Sequence, residues 1–168
     1  MIKIGILGGS FDPPHKGHIY ISHESKKRLN LKQIWWIPTL QNPLKNNMPA
    51  NYDNRVTLCK EKTKEYPHIK IKNIKYFYAT NLIRSLKLKF NNVDFYWIMG
   101  ADNISNLHNW YRYQEFIKNV RIAVFARDNY LIHIRKARCW KFLNQKHPLI
   151  ISCSKMNISS SKIRELNE

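Results

Sequence analysis

Two histidines three residues apart, His15 and His18, stand where an apolar run gives way to a helical segment. The run is Ile2, Ile4, Ile6 and Leu7, short and β-branched enough for a buried parallel strand. Gly8 and Gly9 end it, where a backbone without Cβ turns sharply or comes close to a bound group. Ser10, Phe11 and Asp12 follow, and Pro13 and Pro14 bar a helix there. A helix is expected from about Lys16–Gly17, with Ile19, Ser22 and His23 on one side and Tyr20, Ile21 and Leu29 adding apolar surface. Such a strand, turn and helix aims unpaired N–H groups and the positive end of a helix dipole above the strand's carboxyl end. An anion is the natural occupant. Two imidazoles on the first helical turn share a face and donate hydrogen bonds to phosphate oxygens, more strongly as negative charge develops.

The contiguous stretch G-G-S-F-D-P-P-H-K-G-H from Gly8 to His18 resembles the signature of the H-x-G-H nucleotidyltransferase superfamily, whose members adenylylate or cytidylylate a phosphate with a nucleoside triphosphate. A partner signal lies at the other end. The serines of Asn157-Ile158-Ser159-Ser160-Ser161-Lys162-Ile163-Arg164 read as the cap of a helical segment and a second anion site. I-S-S-S-K-I-R is similar to the superfamily motif I-S-S-T/S-x-I-R, whose serines and arginine bind the triphosphate. The resemblance thus implies ATP contacts at Gly8, Gly9, Ser10, Phe11, His15, His18, Ser160, Ser161 and Arg164, with His18 and His15 as the catalytic pair.

Between these ends the chain resembles the nicotinate mononucleotide (nicotinate-nucleotide) adenylyltransferase branch. Asp94 to Gly100 reads as a buried strand, and Gly100-Ala101-Asp102 puts a carboxylate at the sheet edge where open α/β sheets bind ligands. M-G-A-D-N followed by Leu107-His108-Asn109-Trp110 is the branch pattern: Gly100 and Asp102 would meet the nucleotide, and Trp110 would stack on the pyridine ring. Gln41-Asn42-Pro43-Leu44-Lys45 is similar to the segment after the second strand, where Lys45 would handle substrate phosphate. The Tyr78–Leu82 segment departs from the branch pattern Y-T-x-D-T-L, with Ala79, Asn81 and Leu82 in place of threonine, aspartate and threonine. Tyr78 and Thr80 remain as mononucleotide contacts. Arg127, after the strand Ile122–Ala126, falls where the family carries an arginine near adenosine. Arg55 occupies a family position near substrate, though helix spacing alone reads it as a solvent-exposed arginine.

Other elements follow from spacing. Strands are expected at Gln33–Ile37, ended by Pro38, at Ile69–Ile71 and at Leu149–Ile151. Helices are expected at Tyr52–Tyr66 (Tyr52, Val56 and Cys59 inward), from Tyr78, over Tyr113–Asn119 and over His133–Asn144. Alternating strands and helices make one domain, 1–168, an α/β fold with a doubly wound, mostly parallel, Rossmann-like sheet and helices on both faces.

Composition bounds the partners. Hydrophobic residues make up 43% and aromatics 12% of 168 residues, enough for a packed core. No apolar stretch spans a bilayer, and no signal-peptide pattern precedes the first strand, so no membrane partner and a cytoplasmic location are expected. Cys59, Cys139 and Cys153 read as free thiols of a reducing compartment. The net charge of +18 raises a nucleic-acid-binding alternative, yet the lysines are dispersed, and composition bias plus steering of anionic substrates accounts for them. The resemblance implies ATP and nicotinate mononucleotide as substrates, Mg²⁺ with the phosphates, and no protein metal site. Nicotinamide mononucleotide and phosphopantetheine are the alternative acceptors. Monomer and homo-oligomer both stay open.

Overall fold

The computed structural model describes residues 1–41, 43–44, 48–126, 131–144 and 148–152. Its described strands are β1 (Ile2–Gly9), β2 (Gln33–Pro38), β3 (Ile69–Ile71), β4 (Val93–Gly100), β5 (Arg121–Ala126) and β6 (Leu149–Ser152). They form one sheet in the order β3-β2-β1-β4-β5-β6, every pair parallel. The helices are α1 (Lys16–Leu29), α2 (Tyr52–Lys62), α3 (Ala79–Lys89), α4 (Ala101–Asn106), α5 (Tyr113–Asn119), α6 (Leu131–Lys136) and α7 (Trp140–Asn144), with a 3₁₀ turn at Leu107–Asn109. The α/β, doubly wound expectation holds, and the described sheet is wholly parallel.

Strand alternation divides the core in two. Ile4, Ile6, Trp35, Ile37, Phe95, Trp97, Met99, Ile122 and Val124 face α3, α4 and α5. Their neighbours Leu7, Ile34, Trp36, Ile98, Ala123 and Phe125 face the α1 and α2 side. Burial on both faces explains why these strands are near-continuous apolar runs. The chain passes from β3 at one edge back to β4 beside β1, so the strand order reverses between β1 and β4. Open α/β sheets take their ligands in the crevice at such a point.

Some expected boundaries shift, each for a local reason. β1 continues through Gly9, and β2 through Pro38, which pairs with Gly9. Thr39 N–H donates to Gly9 O, so the Pro38 nitrogen faces the other way, where the register with β3 has already ended at Trp36. α2 ends at Lys62, with Thr63 as its cap: the Thr63 N–H closes the last helical bond to Cys59 O and its hydroxyl donates to the same carbonyl. The helix expected over His133–Asn144 is two short helices. The buried Cys139 between them points its thiol at Ile104 O, 3.3 Å away, pinning the break to α4. On α1 the buried residues are Gly17, Ser22 and Ser25, small enough to seat the helix close to the sheet, whereas His23 is exposed. Among the described residues no helix is long and apolar enough to cross a membrane.

Candidate active site

The first element of the crevice is the edge of β1. Leu7 pairs with Ile98, so Gly9 and Gly100 leave the sheet at about the same level on either side of the strand-order reversal. Neither Gly8 nor Gly9 has a positive φ. A Cβ on Gly8 would lie 2.5 Å from the Trp97 ring and 2.7 Å from the Tyr76 hydroxyl, so packing demands glycine there. A Cβ on Gly9 would meet only the Phe11 ring, at 3.8 Å, which leaves that position open toward the crevice. The sharp turn comes later, at Phe11, with φ 50°. That left-handed backbone costs a side-chain-bearing residue about 1–2 kcal/mol. Burial opposes the cost: Phe11 is 1% exposed and stacks on Trp36, with ring centroids 4.8 Å apart.

The histidines follow directly. His15 is the N-cap of α1, its Nδ1 accepting the Gly17 N–H at 3.1 Å, and His18 Nδ1 accepts the His15 N–H at 3.1 Å. The two side chains form a reciprocal capping box in which imidazoles replace the usual hydroxyl and carboxylate. With each Nδ1 an acceptor, a neutral imidazole carries its proton on Nε2. Burial lowers the pKa of both, with the mutual His15–His18 charge adding to it for His18, which falls to about 3, and Lys62 adding to it for His15. Near neutral pH the pair therefore presents two Nε2–H donors. Their rings lie 3.8 Å apart, and the Phe11 ring lies 4.8 Å from His18. Beneath them Trp36 Nε1–H donates to Ser22 Oγ, whose hydroxyl donates to His18 O, so the buried polar atoms of this wall are matched.

The facing wall is built from α3 and the Trp110 turn. Trp110 is half-buried, perpendicular to Trp97 at 6.0 Å and 5.4 Å from Phe116. Tyr78 and Tyr111, each about two-fifths exposed (40% and 43%), face one another at 4.6 Å. Thr80 is buried, its hydroxyl donating to Tyr111 O at 2.6 Å, which ties the start of α3 to the residue after Trp110. Leu82, at one of the altered positions, sits in the core. His108 Nδ1, two residues before Trp110, is buried with no hydrogen-bond partner among the described residues. Asp102 is exposed on the first turn of α4 and folds back on Gly100, where a Cβ would stand 2.5 Å from its Oδ1. Ser10 precedes the Phe11 turn, half-exposed.

Gly8, Gly9, Ser10, Phe11, His15 and His18 thus gather at one wall, while Tyr78, Thr80 and Trp110 form the other and Gly100 and Asp102 cap β4. Lys45, Arg127, Ser160, Ser161 and Arg164 lie outside the described residues. Arg55 is not the exposed arginine that helix spacing favoured. It is 1% exposed, and its guanidinium donates to the carbonyls of Ser10 (2.6 Å), Thr39 (2.9 Å), Leu40 (3.1 Å) and Ala50 (2.8 Å). Its signal was there: Arg55 is one turn before the inward Cys59 and adjacent to Val56. Among the described residues no three His, Cys, Asp or Glu side chains converge as a metal cage.

Residues 6–166 match the cytidylyltransferase-like family model. The chain belongs to the cytidylyltransferase-like family. Its relatives include a probable nicotinate-nucleotide adenylyltransferase of Pelagibacter ubique, 38% identical over 98% of this chain and 93% of the relative. Another, of the same description, is from Ruegeria sp., 37% identical over 86% of this chain and 78% of the relative. Plasmodium falciparum nicotinic acid mononucleotide adenylyltransferase, solved in complex with NaAD, superposes with a TM-score of 0.77 over 98% of this chain and 83% of that one. At 19% identity this last likeness speaks for the fold alone.

Proposed function

We propose that this cytidylyltransferase-like chain transfers the adenylyl group of ATP to the phosphate of nicotinate mononucleotide, giving deamido-NAD and pyrophosphate. The observation that carries the reading is the pair of locked imidazoles, two Nε2–H donors at the N-terminus of α1 above the sheet edge. The acceptor is chosen by the two bacterial relatives and by the Trp110 wall opposite.

In this reading a phosphate oxygen of the mononucleotide attacks the α-phosphorus of ATP in line. The new O–P bond forms as the bond to the bridging oxygen breaks, and pyrophosphate leaves with that electron pair. No protein nucleophile is needed; the site positions the reactants and answers charge where it develops. His18 and His15 donate to the triphosphate without being cations beforehand, so their hydrogen bonds strengthen as the leaving group gains charge. Gly9 leaves room for the nucleotide to approach the backbone, Asp102 receives the ribose, and Ser160, Ser161 and Arg164 take the far phosphates. Trp110, Tyr78 and Thr80 hold the mononucleotide, with Lys45 on its phosphate and Arg127 toward adenosine. Mg²⁺ would be carried by the triphosphate oxygens and water, since among the described residues no three His, Cys, Asp or Glu side chains converge to hold it, and it would supply charge neutralisation there. We place this reaction in the cytoplasm, within a single domain spanning 1–168.

The deciding experiment is pyrophosphate release with ATP and Mg²⁺ against nicotinate mononucleotide, nicotinamide mononucleotide and phosphopantetheine in parallel. Release with nicotinate mononucleotide alone is expected. Preference for the amide would mean that Ala79, Asn81 and Leu82 have changed acceptor choice. Silence with all three, together with salt-dependent binding to DNA or RNA, would replace the enzyme reading by nucleic-acid binding.

A further inference from the structure

Arg55 is a buried cation whose four hydrogen bonds all go to main-chain carbonyls, and those carbonyls come from three separate places. Ser10 belongs to the phosphate loop, Thr39 and Leu40 to the residues just after β2, and Ala50 to the approach to α2. Burial works against the charged form of Arg55, the Asp12 carboxylate is the largest charge opposing that, and Asp12 also accepts the Ala50 N–H at 3.3 Å. Each link has a lever. A trans peptide is planar, so turning Ser10 C=O onto the guanidinium fixes the Phe11 N–H in the opposite direction and steadies the left-handed backbone at Phe11. The Phe11 ring in turn lies against His18. On the other side, Thr39 N–H donates to Gly9 O and Leu40 N–H to Tyr76 O, while the Thr39 hydroxyl is shared between Gln41 O at 3.0 Å and Tyr76 O at 3.2 Å. Tyr76 sits directly under Gly8 and leads to Tyr78 on the acceptor wall.

We propose that Arg55 is a positioning residue of the transfer, joining the phosphate loop and both ends of the β2–α2 connection into one unit that sets the two substrates in line. It touches neither substrate. It acts by holding four carbonyls that no other residue type spans: a lysine would keep the charge but lacks the planar fork that reaches several acceptors at fixed angles. The proposal rests on the adenylyl-transfer reading for its kinetic readout, though not for its structural one.

The test uses the full chain. Arg55→Lys should lower kcat at saturating ATP and nicotinate mononucleotide by about 100-fold, the scale of a misplacement of about 1 Å. Amide hydrogen exchange should quicken together in residues 8–18 and 48–52. Cys59→Ala, on the same helix and in the core beside it, is the structural control: it should lower Tm while kcat stays near wild type. Should Arg55→Lys fail to fold, Asp12→Asn, which weakens the Ala50 link and the facing charge, should give the same paired exchange at smaller size. A kcat for Arg55→Lys close to wild type, or faster exchange confined to α2, overturns the proposal. If the wild type transfers nothing to nicotinate mononucleotide, the functional reading fails by itself. Exchange in the presence of α,β-methylene-ATP then decides: paired loss of protection supports the Arg55 unit, and unchanged protection at 8–18 overturns it.

Discussion

His15, His18 and Arg55 are each tied to main-chain groups at the β1–α1 wall, whereas Tyr78, Trp110 and Tyr111 across the crevice are held mainly by ring against ring. The polar wall has directed bonds: a donor moved by an ångström no longer meets the atom on which charge develops. The aromatic wall is bounded by surfaces, and offset or edge-to-face rings tolerate small slides at little cost. Chemistry thus sits on the rigid side and recognition of a flat ring on the adaptable side. This division accounts for a family pattern that is intact around His18 but altered around Ala79–Leu82.

Breaking the polar wall should give the largest effect. His18→Ala removes one Nε2–H donor from the developing charge, so kcat should fall by about 10³-fold. Circular dichroism should show the fold retained, because the lost side chain caps only the His15 N–H. Turnover near wild type in a folded variant would end the assignment of His18. Next come the glycines of the same wall, which separate packing from approach. Gly8→Ala drives a methyl into Trp97 and Tyr76 and should cost about 1–3 kcal/mol by denaturant unfolding. Gly9→Ala should unfold like the wild type yet raise the KM for ATP, since its Cβ meets only ordinary contact inside the protein. Equal destabilisation by both would mean that Gly9 also serves packing.

The aromatic wall should respond more gently. Trp110→Ala forfeits a stacked ring, worth at most about tenfold in the KM for the mononucleotide, with ATP barely affected. The lost contacts with Trp97 and Phe116 should lower Tm as well. Equal shifts in both KM values would show Trp110 to be a core residue and nothing more.

The legible parts of this chain are those where local chemistry and global fold agree. The strand, the proline pair and the helix start at His15–His18 read correctly because local chemistry decides them, whereas the turn expected at Gly8–Gly9 comes at Phe11, since β1 stays paired through Gly9. The strand runs read correctly because both faces are buried. Arg55 was missed because an arginine on a helix is solvent-exposed by default; the acceptors that bury it are carbonyls contributed 5 to 45 residues away in sequence, and carbonyls carry no residue code. The α6–α7 break was missed for a similar reason. Ile134, Ala137, Trp140 and Leu143 do keep near-helical spacing, and at the break Cys139 meets Ile104, 35 residues earlier, a contact that spacing does not show. Ser22 turns inward, where its hydroxyl oxygen accepts the Trp36 indole N–H, whereas His23, which the spacing set on the same side, is exposed.

Acid should expose the asymmetry between the walls more subtly. In the folded chain His18 binds its proton only near pH 3, against an ordinary value of 6.5, and His15 is lowered too. The unfolded chain therefore holds more protons across that interval, so stability is full above about pH 6.5 and declines as the pH falls toward 3. The effect belongs to the polar wall, since burial of the pair is its main cause. In His18→Asn the amide oxygen can still accept the His15 N–H but takes up no proton. Its Tm should therefore fall less than that of wild type between pH 7 and pH 5. Parallel Tm curves would mean that His18 relaxes outward and is protonated in water, and the two Nε2–H donors would then not be held in advance of substrate.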